Sequence, residues 1–282
     1  MKGTVYYKTK KVLTNTIIHI FLISVAITCL YPLIWMVISS LKTQDMIFKD
    51  ISLIPHQFRF ENYVQAWREG GFGRNFLNSM IYTVSVVFGI VMISSMAAYA
   101  FSRLRFPGSK VLFVMFMAAM MIPIPGSFVA LYVLLNKLHL RNTPFGYILC
   151  MINVGLSTSI FLLKTFFDKM PKELEDAARI DGCSKLGIWF HVALPLAKPV
   201  LAVVIVLNAL TVWNEYILAL IIFDNRKYMP LQVALQSFQG EFVTNYPLLM
   251  AGLTITALPI IIIYLLMQKY IVKGVTQGAL VG

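Results

Sequence analysis

The sequence predicts an all-α membrane protein with six transmembrane helices and a helical segment on the cytoplasmic surface. Three observations carry that prediction. The 282-residue chain is 59% hydrophobic with a mean hydropathy of +0.76, and 13% of its residues are charged, about half the share usual in soluble domains. Its apolar residues gather into six runs, each long enough for the roughly 20 residues that a helix needs to cross a ~30 Å hydrocarbon core. Its basic residues are spread unevenly over the segments between those runs. A β-barrel is excluded, because its strands would read as alternating segments of about ten residues.

The first span is read at 12–41, after a basic opening of residues 1–12. The run is far longer than the ~7–15-residue core of a cleaved signal, so it is read as a span that is kept. The outer loop at 42–74 mixes aromatics with balanced charge. It predicts short interfacial helices, with the aromatics either anchored at the headgroups or turned toward a partner. Spans two, three and four are read at 75–102, 111–136 and 142–163, and none contains Asp, Glu, Lys or Arg. In span three, Pro123 and Pro125 remove backbone donors and Gly126 permits unusual angles, which predicts a kink or break. Span five, 199–223, holds one acid, Glu215, and span six occupies 242–268. Residues 13–282 thus read as one transmembrane domain.

Orientation follows from the basic residues. Fifteen of the 24 Lys and Arg lie on one side: before span one, between spans two and three, within 164–198, and after span six. Nine lie on the other side, five of them in the outer loop. Positive charge favours the cytoplasm, so both termini and the segment 167–198 are read as cytoplasmic. The net charge of +12 then reflects membrane placement, with lipid as the partner and not nucleic acid. Cys29, Cys150 and Cys183 are scattered, and His19, His56, His139 and His191 form no metal or nucleophile motif.

The segment 167–198 is polar in an apolar chain. Pro171 suits a helix start, and Glu173, Glu175 and Asp176 favour the positive end of its dipole. Leu174, Ala177 and Ala178 share one face. Gly182 is placed to stop the helix, Ser184 to cap a second one, and Pro195 and Pro199 mark re-entry into span five. Small alanines would let a partner backbone come close, and the charges around them would set register.

The segment resembles the EAA loop of bacterial ATP-binding-cassette importer permeases. Asp176-Ala177-Ala178 is followed at the family's spacing by Gly182, Val192 and Leu194-Pro195. Asp176 stands where a glutamate is usual and Val192 where an isoleucine is. "ELEDAARIDG", "LIPHQFRFENYVQAW", "AYAFSRLRFPG", "WNEYILAL" and "GVTQGALVG" are similar to the carbohydrate-uptake branch, closest to the shorter permease subunit of maltose-type importers. Val281 departs from a lysine common in the family's tail. The resemblance implies a coupling helix that docks on an ATPase subunit through Glu175, Asp176, Ala177, Ala178, Asp181, Gly182, Leu186, Leu194 and Pro195. It also implies a second permease subunit as heterodimer partner, two ATPase subunits, an extracytoplasmic solute-binding protein, and a place in the bacterial cytoplasmic membrane.

No G-x-x-x-x-G-K-[ST] occurs in the chain, so ATP and Mg are expected on the partner ATPases and this chain is not itself an enzyme. For the substrate path, Asn208, Thr211 and Glu215 fall at i, i+3, i+7 of span five, with Asn153 and Ser157 on span four as weaker candidates. These groups either line the path or hold helices together; the resemblance to the maltose system, where the bound sugar is held mainly by the other permease subunit, favours neither. A self-sufficient secondary transporter would be expected to carry more intramembrane charge and internal repeats. A membrane enzyme would need convergent titratable groups. The leading reading is a permease for a sugar or oligosaccharide, with the same machinery carrying another cargo, such as glycerol phosphate, as the alternative.

Overall fold

The computed structural model describes residues 2–49, 52, 55, 57–121, 128–239 and 244–279. The predicted break at Pro123, Pro125 and Gly126 lies outside these residues, as do His56 and Val281. The chain divides into two units, Met1–Gly70 with Ser237–Ile255 and Gly71–Gln236 with Thr256–Gly282.

In the first unit, α1 (Lys2–Ser39) is a continuous helix. Its most apolar 18-residue window within Val12–Ser39 buries none of its residues inside the chain, and Ser39 at its end is buried. Thr16, Ser24 and Thr28 donate to the carbonyls of Val12, Phe21 and Ser24 one turn back. A helix whose hydroxyls bond its own backbone asks nothing of its solvent, which suits hydrocarbon. The outer loop folds into two short helices, α2 (Gln44–Lys49) and α3 (Glu61–Glu69). Asn62 holds it closed, donating from Nδ2 to the carbonyls of Ser40 at 2.7 Å and Lys42 at 3.0 Å. The buried Lys42 ammonium donates to the Ser52 carbonyl. Gln44 bonds the backbone of Thr244 and Tyr246, and Phe48 packs edge-on against the Tyr246 ring.

The second unit is built on α4 (Phe72–Arg103) and α7 (Pro144–Lys169). Tyr82, Val86 and Ile90 of α4 meet Tyr147, Met151 and Ile160 of α7 in the core. Between them in sequence come two shorter helices, α5 (Ser109–Met120) and α6 (Phe128–Lys137). After α7 the chain forms α8 (Glu173–Ile180), α9 (Lys185–Leu196, with a π-helical turn at Trp189–Ala193), α10 (Lys198–Trp213), α11 (Ile217–Ile222), α12 (Leu231–Ala234) and α13 (Tyr246–Ala279), the last running from the first unit into the second.

Among the described residues, four helices are long and apolar enough to cross a membrane: Val12–Ser39, Phe72–Arg103, Pro144–Lys169 and Tyr246–Lys269. Helices α9 and α10 give a fifth if the bent pair counts as one span. They meet at 80°, because Pro199 lacks an N–H for the Pro195 carbonyl and its ring clashes there. Among the described residues the structure therefore shows four to five spans. The predicted third span is represented by α5 and α6, on either side of residues outside the described set. One expectation is corrected here. The predicted fifth span ends at Trp213, and residues 214–216 separate α10 from α11. No Pro or Gly marks that break. The Trp213 indole donates to the Thr256 carbonyl at 3.0 Å, while the Glu215 carboxylate accepts from the Leu218 amide at 2.6 Å and starts a new helix.

The end of α4 opposite Arg103 is pinned by side chains on one face. Asn75, Asn78 and Tyr82 donate to backbone carbonyls in Lys227–Met229. Asn142, which adopts a left-handed φ of 58°, accepts at Oδ1 from the amides of Asp224 and Asn225. Polar loop groups are thus satisfied by chain and not by solvent.

Candidate functional site

At the Arg103 end of the second unit, α7 stops at Lys169 and the chain turns at Met170 into α8. The helix begins at Glu173, two residues after Pro171, so Pro171 precedes the first turn and does not occupy it. Helix α8 ends in a Schellman motif: the Gly182 amide donates to the Arg179 carbonyl and the Cys183 amide to that of Ala178. The motif needs a left-handed residue, and Gly182 has φ +83°. Ser184 then caps α9, accepting from the Gly187 amide at 3.2 Å. Two turns of helix, a glycine corner and a second helix are thus fixed by local chemistry alone.

Burial divides α8 into two faces. Glu175 and Ala178 point into the protein, whereas Asp176, Ala177, Ile180 and Asp181 are exposed. Ile180 is 86% exposed, and Leu174 of α8 and Leu186 of α9 are exposed as well. Of the expected coupling residues, Ala178 and Glu175 are covered by their own chain. Asp176 pairs with Arg179 on the helix surface at 3.2 Å. Leu194 is partly buried and Pro195 exposed in the last turn of α9.

Glu175 is the anchor of the inner face. Its Oε1 lies 2.8 Å from Arg103 Nε, and the two side chains are 5% and 6% exposed. The pair is close without being aligned as a hydrogen bond. Tyr99 donates its hydroxyl to Glu175 Oε2 at 3.4 Å, and Arg103 Nη2 donates to the Met170 carbonyl. One guanidinium at the end of α4 thereby holds both the exit of α7 and the body of α8. The motif reading of 167–198 misses Arg103 and Tyr99; both stand in "AYAFSRLRFPG", where Arg103 is the first charge after an uncharged span.

The path candidates fall into different surroundings. Asn208 is buried, and its Nδ2 donates to Ser159 Oγ at 3.0 Å and to the Val204 carbonyl. Ser159 in turn donates to the Gly155 carbonyl. Thr211 is exposed and bonds the Leu207 carbonyl of its own helix. Glu215 lies beyond the end of α10 as the cap of α11. The three do not form one helical face, and that expectation is corrected. Asn153 is exposed on α7 and Ser157 half-buried. Ser159 and Gly155, which sequence reasoning passes over, are the groups that receive Asn208. Among the described residues, no cluster of three or more His, Cys, Asp or Glu is placed to hold a metal ion.

Residues 64–277 match the family of binding-protein-dependent transport system inner membrane components. The chain belongs to that family. Similar proteins include the diacetylchitobiose uptake system permease of Streptomyces coelicolor, 31% identical over 92% of this chain and 87% of its own length. A melibiose, raffinose and stachyose import permease of Bacillus subtilis is 32% identical over 82% of this chain and 84% of its own. A bacterial ABC transporter that imports the acidic polysaccharide alginate superposes with a TM-score of 0.79, at 25% identity over 92% of this chain and 96% of that one. The protein is therefore an ABC importer permease of the carbohydrate-uptake type, a multi-pass inner membrane protein and not itself a catalyst. Membership implies ATPase and binding-protein partners for the permease.

Proposed function

We propose that this permease moves a sugar or oligosaccharide inward and takes its drive from an ATPase through the exposed face of α8. The observation that carries the reading is the construction of α8: a short helix with a free face of Asp176, Ala177 and Ile180, pinned by Glu175 to α4 and joined to α7 and α9 by tight turns. A push on that face reaches three helices without passing through a flexible linker. The cargo follows from the relatives, whose names record disaccharide and oligosaccharide substrates. In this reading a second permease subunit completes the path, two ATPase subunits bind ATP and Mg, and a binding protein delivers the solute.

The reading counts α5 and α6 as one interrupted span and α9–α11 as a bent one, which gives six spans and two cytoplasmic termini. The basic bias supports it, since Arg103, Arg105 and Lys110 follow span two and Lys164, Lys169, Lys172 and Arg179 follow span four, in segments that this topology puts on one side. Single cysteines at Ser184 and Gln57 are expected to react with a membrane-impermeant maleimide from opposite sides; reaction from the same side contradicts the topology. Transport by reconstituted complex with binding protein and ATP should persist when the proton gradient is collapsed.

Gly182→Val tests the corner. A Cβ there meets nothing within 4 Å, so the cost is backbone strain alone, ~1–2 kcal/mol at a left-handed residue. The strain is relieved by re-aiming α8. The variant is expected to insert normally but to transport poorly and to lose the stimulation of ATP hydrolysis by loaded binding protein. Gly182→Asn, which tolerates this conformation, should retain most activity. Full transport by the Val variant would show that the corner is not needed.

A further inference from the structure

The turn between α4 and α5 forms an open cleft of about 580 Å³. Arg105, Lys110 and Lys164 line it, and so does Ser102. Among the described residues neither Arg105 nor Lys110 has an ion-pair partner, whereas Lys164 pairs with Asp168 at 2.7 Å. Two cations are therefore uncompensated. The buried Ser102 hydroxyl also lacks a hydrogen-bond partner. Helix α5 starts at this cleft with Gly108 as its N-cap, and no side chain caps its first amides. These donors and charges together favour an anion.

The other wall is apolar. The Phe101 and Phe113 rings lie edge to face at 5.7 Å, and the Lys164 ammonium sits 5.0 Å above the Phe113 ring. From the cleft, α5 continues as an exposed apolar flank through Val111, Val114 and Met115. A soluble phosphate would use the cations and leave that flank bare. A glycerophospholipid would use both, with its headgroup among the cations and its chains along α5.

We infer that this cleft is a binding site for the phosphodiester headgroup of an anionic glycerophospholipid. The inference rests on the proposed orientation, which puts the cleft at the cytoplasmic interface, where such headgroups lie.

The test uses the intact importer complex in phosphatidylcholine nanodiscs, with phosphatidylglycerol as the probe and native mass spectrometry to count retained lipid. The wild-type complex is expected to retain phosphatidylglycerol over phosphatidylcholine. Arg105→Gln with Lys110→Gln should weaken that retention about 25-fold, at about fivefold per cation, and Lys110→Arg should preserve it. The melting temperature in pure phosphatidylcholine verifies that the double variant is folded, and the single Lys110→Gln variant, at an exposed position, gives a fivefold arm if it is not. Unchanged retention in the glutamine variants overturns the site. Displacement of the lipid by inorganic phosphate assigns the cleft to a soluble anion and overturns the lipid reading. The readout does not depend on sidedness, so an inverted topology would be seen in the Ser184 labelling and not here.

Discussion

Glu175→Gln is expected to destabilise the permease by about 3–5 kcal/mol, because it leaves the Arg103 guanidinium buried without a counter-charge. Arg103→Met should cost about as much by stranding the carboxylate. Replacing both partners with apolar residues, Arg103→Met with Glu175→Leu, removes the uncompensated charge and should recover most of the stability. The double variant separates two roles of the pair. If it only fills space, the double variant transports as well as it folds. If it also holds α8 against α4 during the stroke, the double variant is stable yet hydrolyses ATP with reduced transport. The melting temperature of the purified complex and the ratio of solute moved to ATP hydrolysed, measured on the same preparation, decide between them. Melting of the Gln variant at the wild-type temperature would contradict the buried ion pair.

A second large effect is expected at Gly155, where α4, α7 and α10 converge. A Cβ on this residue would lie 2.0 Å from Asn208 Oδ1 and 2.5 Å from Ile90 Cδ1. The Ile90 methyl is the end of a flexible side chain, but Asn208 cannot give way freely, since it is held by Ser159 and by the Val204 carbonyl. Gly155→Ala should therefore cost about 1–3 kcal/mol by overpacking, with loss of interhelical bonding worth ~0.6–2 kcal/mol in the same place. Asn208→Leu should reproduce the second part alone, lowering melting temperature and transport in step. Transport lost at unchanged stability would return Asn208 to the solute path.

What was legible in the sequence was whatever short-range chemistry fixes. The end of α8 was readable because a left-handed residue closes a Schellman turn and only Gly182 stands where one is needed. The start of α9 was readable because a serine at the N-cap satisfies an orphan amide. The apolar runs gave the long helices because lipid allows a charge-free helix and little else. Pairings over distance were not readable. Arg103 and Glu175 are ordinary residues of two separate motifs, and nothing local says that the arginine turns inward. Asn208 forms a polar stripe with Thr211 and Glu215 only on a continuous helix, and α10 ends before Glu215. The break after Trp213 is flanked by a bond from its indole to the Thr256 carbonyl and by the Glu215 cap, contacts made outside the helix itself or only once it has ended. The inward turn of Ala178 was hidden for a related reason. Leu174, Ala177 and Ala178 form one apolar face on paper, but the ion pair at Glu175 rotates the helix and puts Ala178 underneath.

The central claim, that the exposed face of α8 meets the ATPase, is tested most directly by photo-crosslinking from that face. A benzophenone amino acid would be placed at Ala177 or Ile180, both exposed, and as a control at Phe88, exposed on the apolar flank of α4. The account predicts that illumination of the assembled complex joins the permease to an ATPase subunit from Ala177 and Ile180 and not from Phe88. An assembled complex that yields no ATPase adduct from either α8 position, or yields it equally from Phe88, would contradict the account.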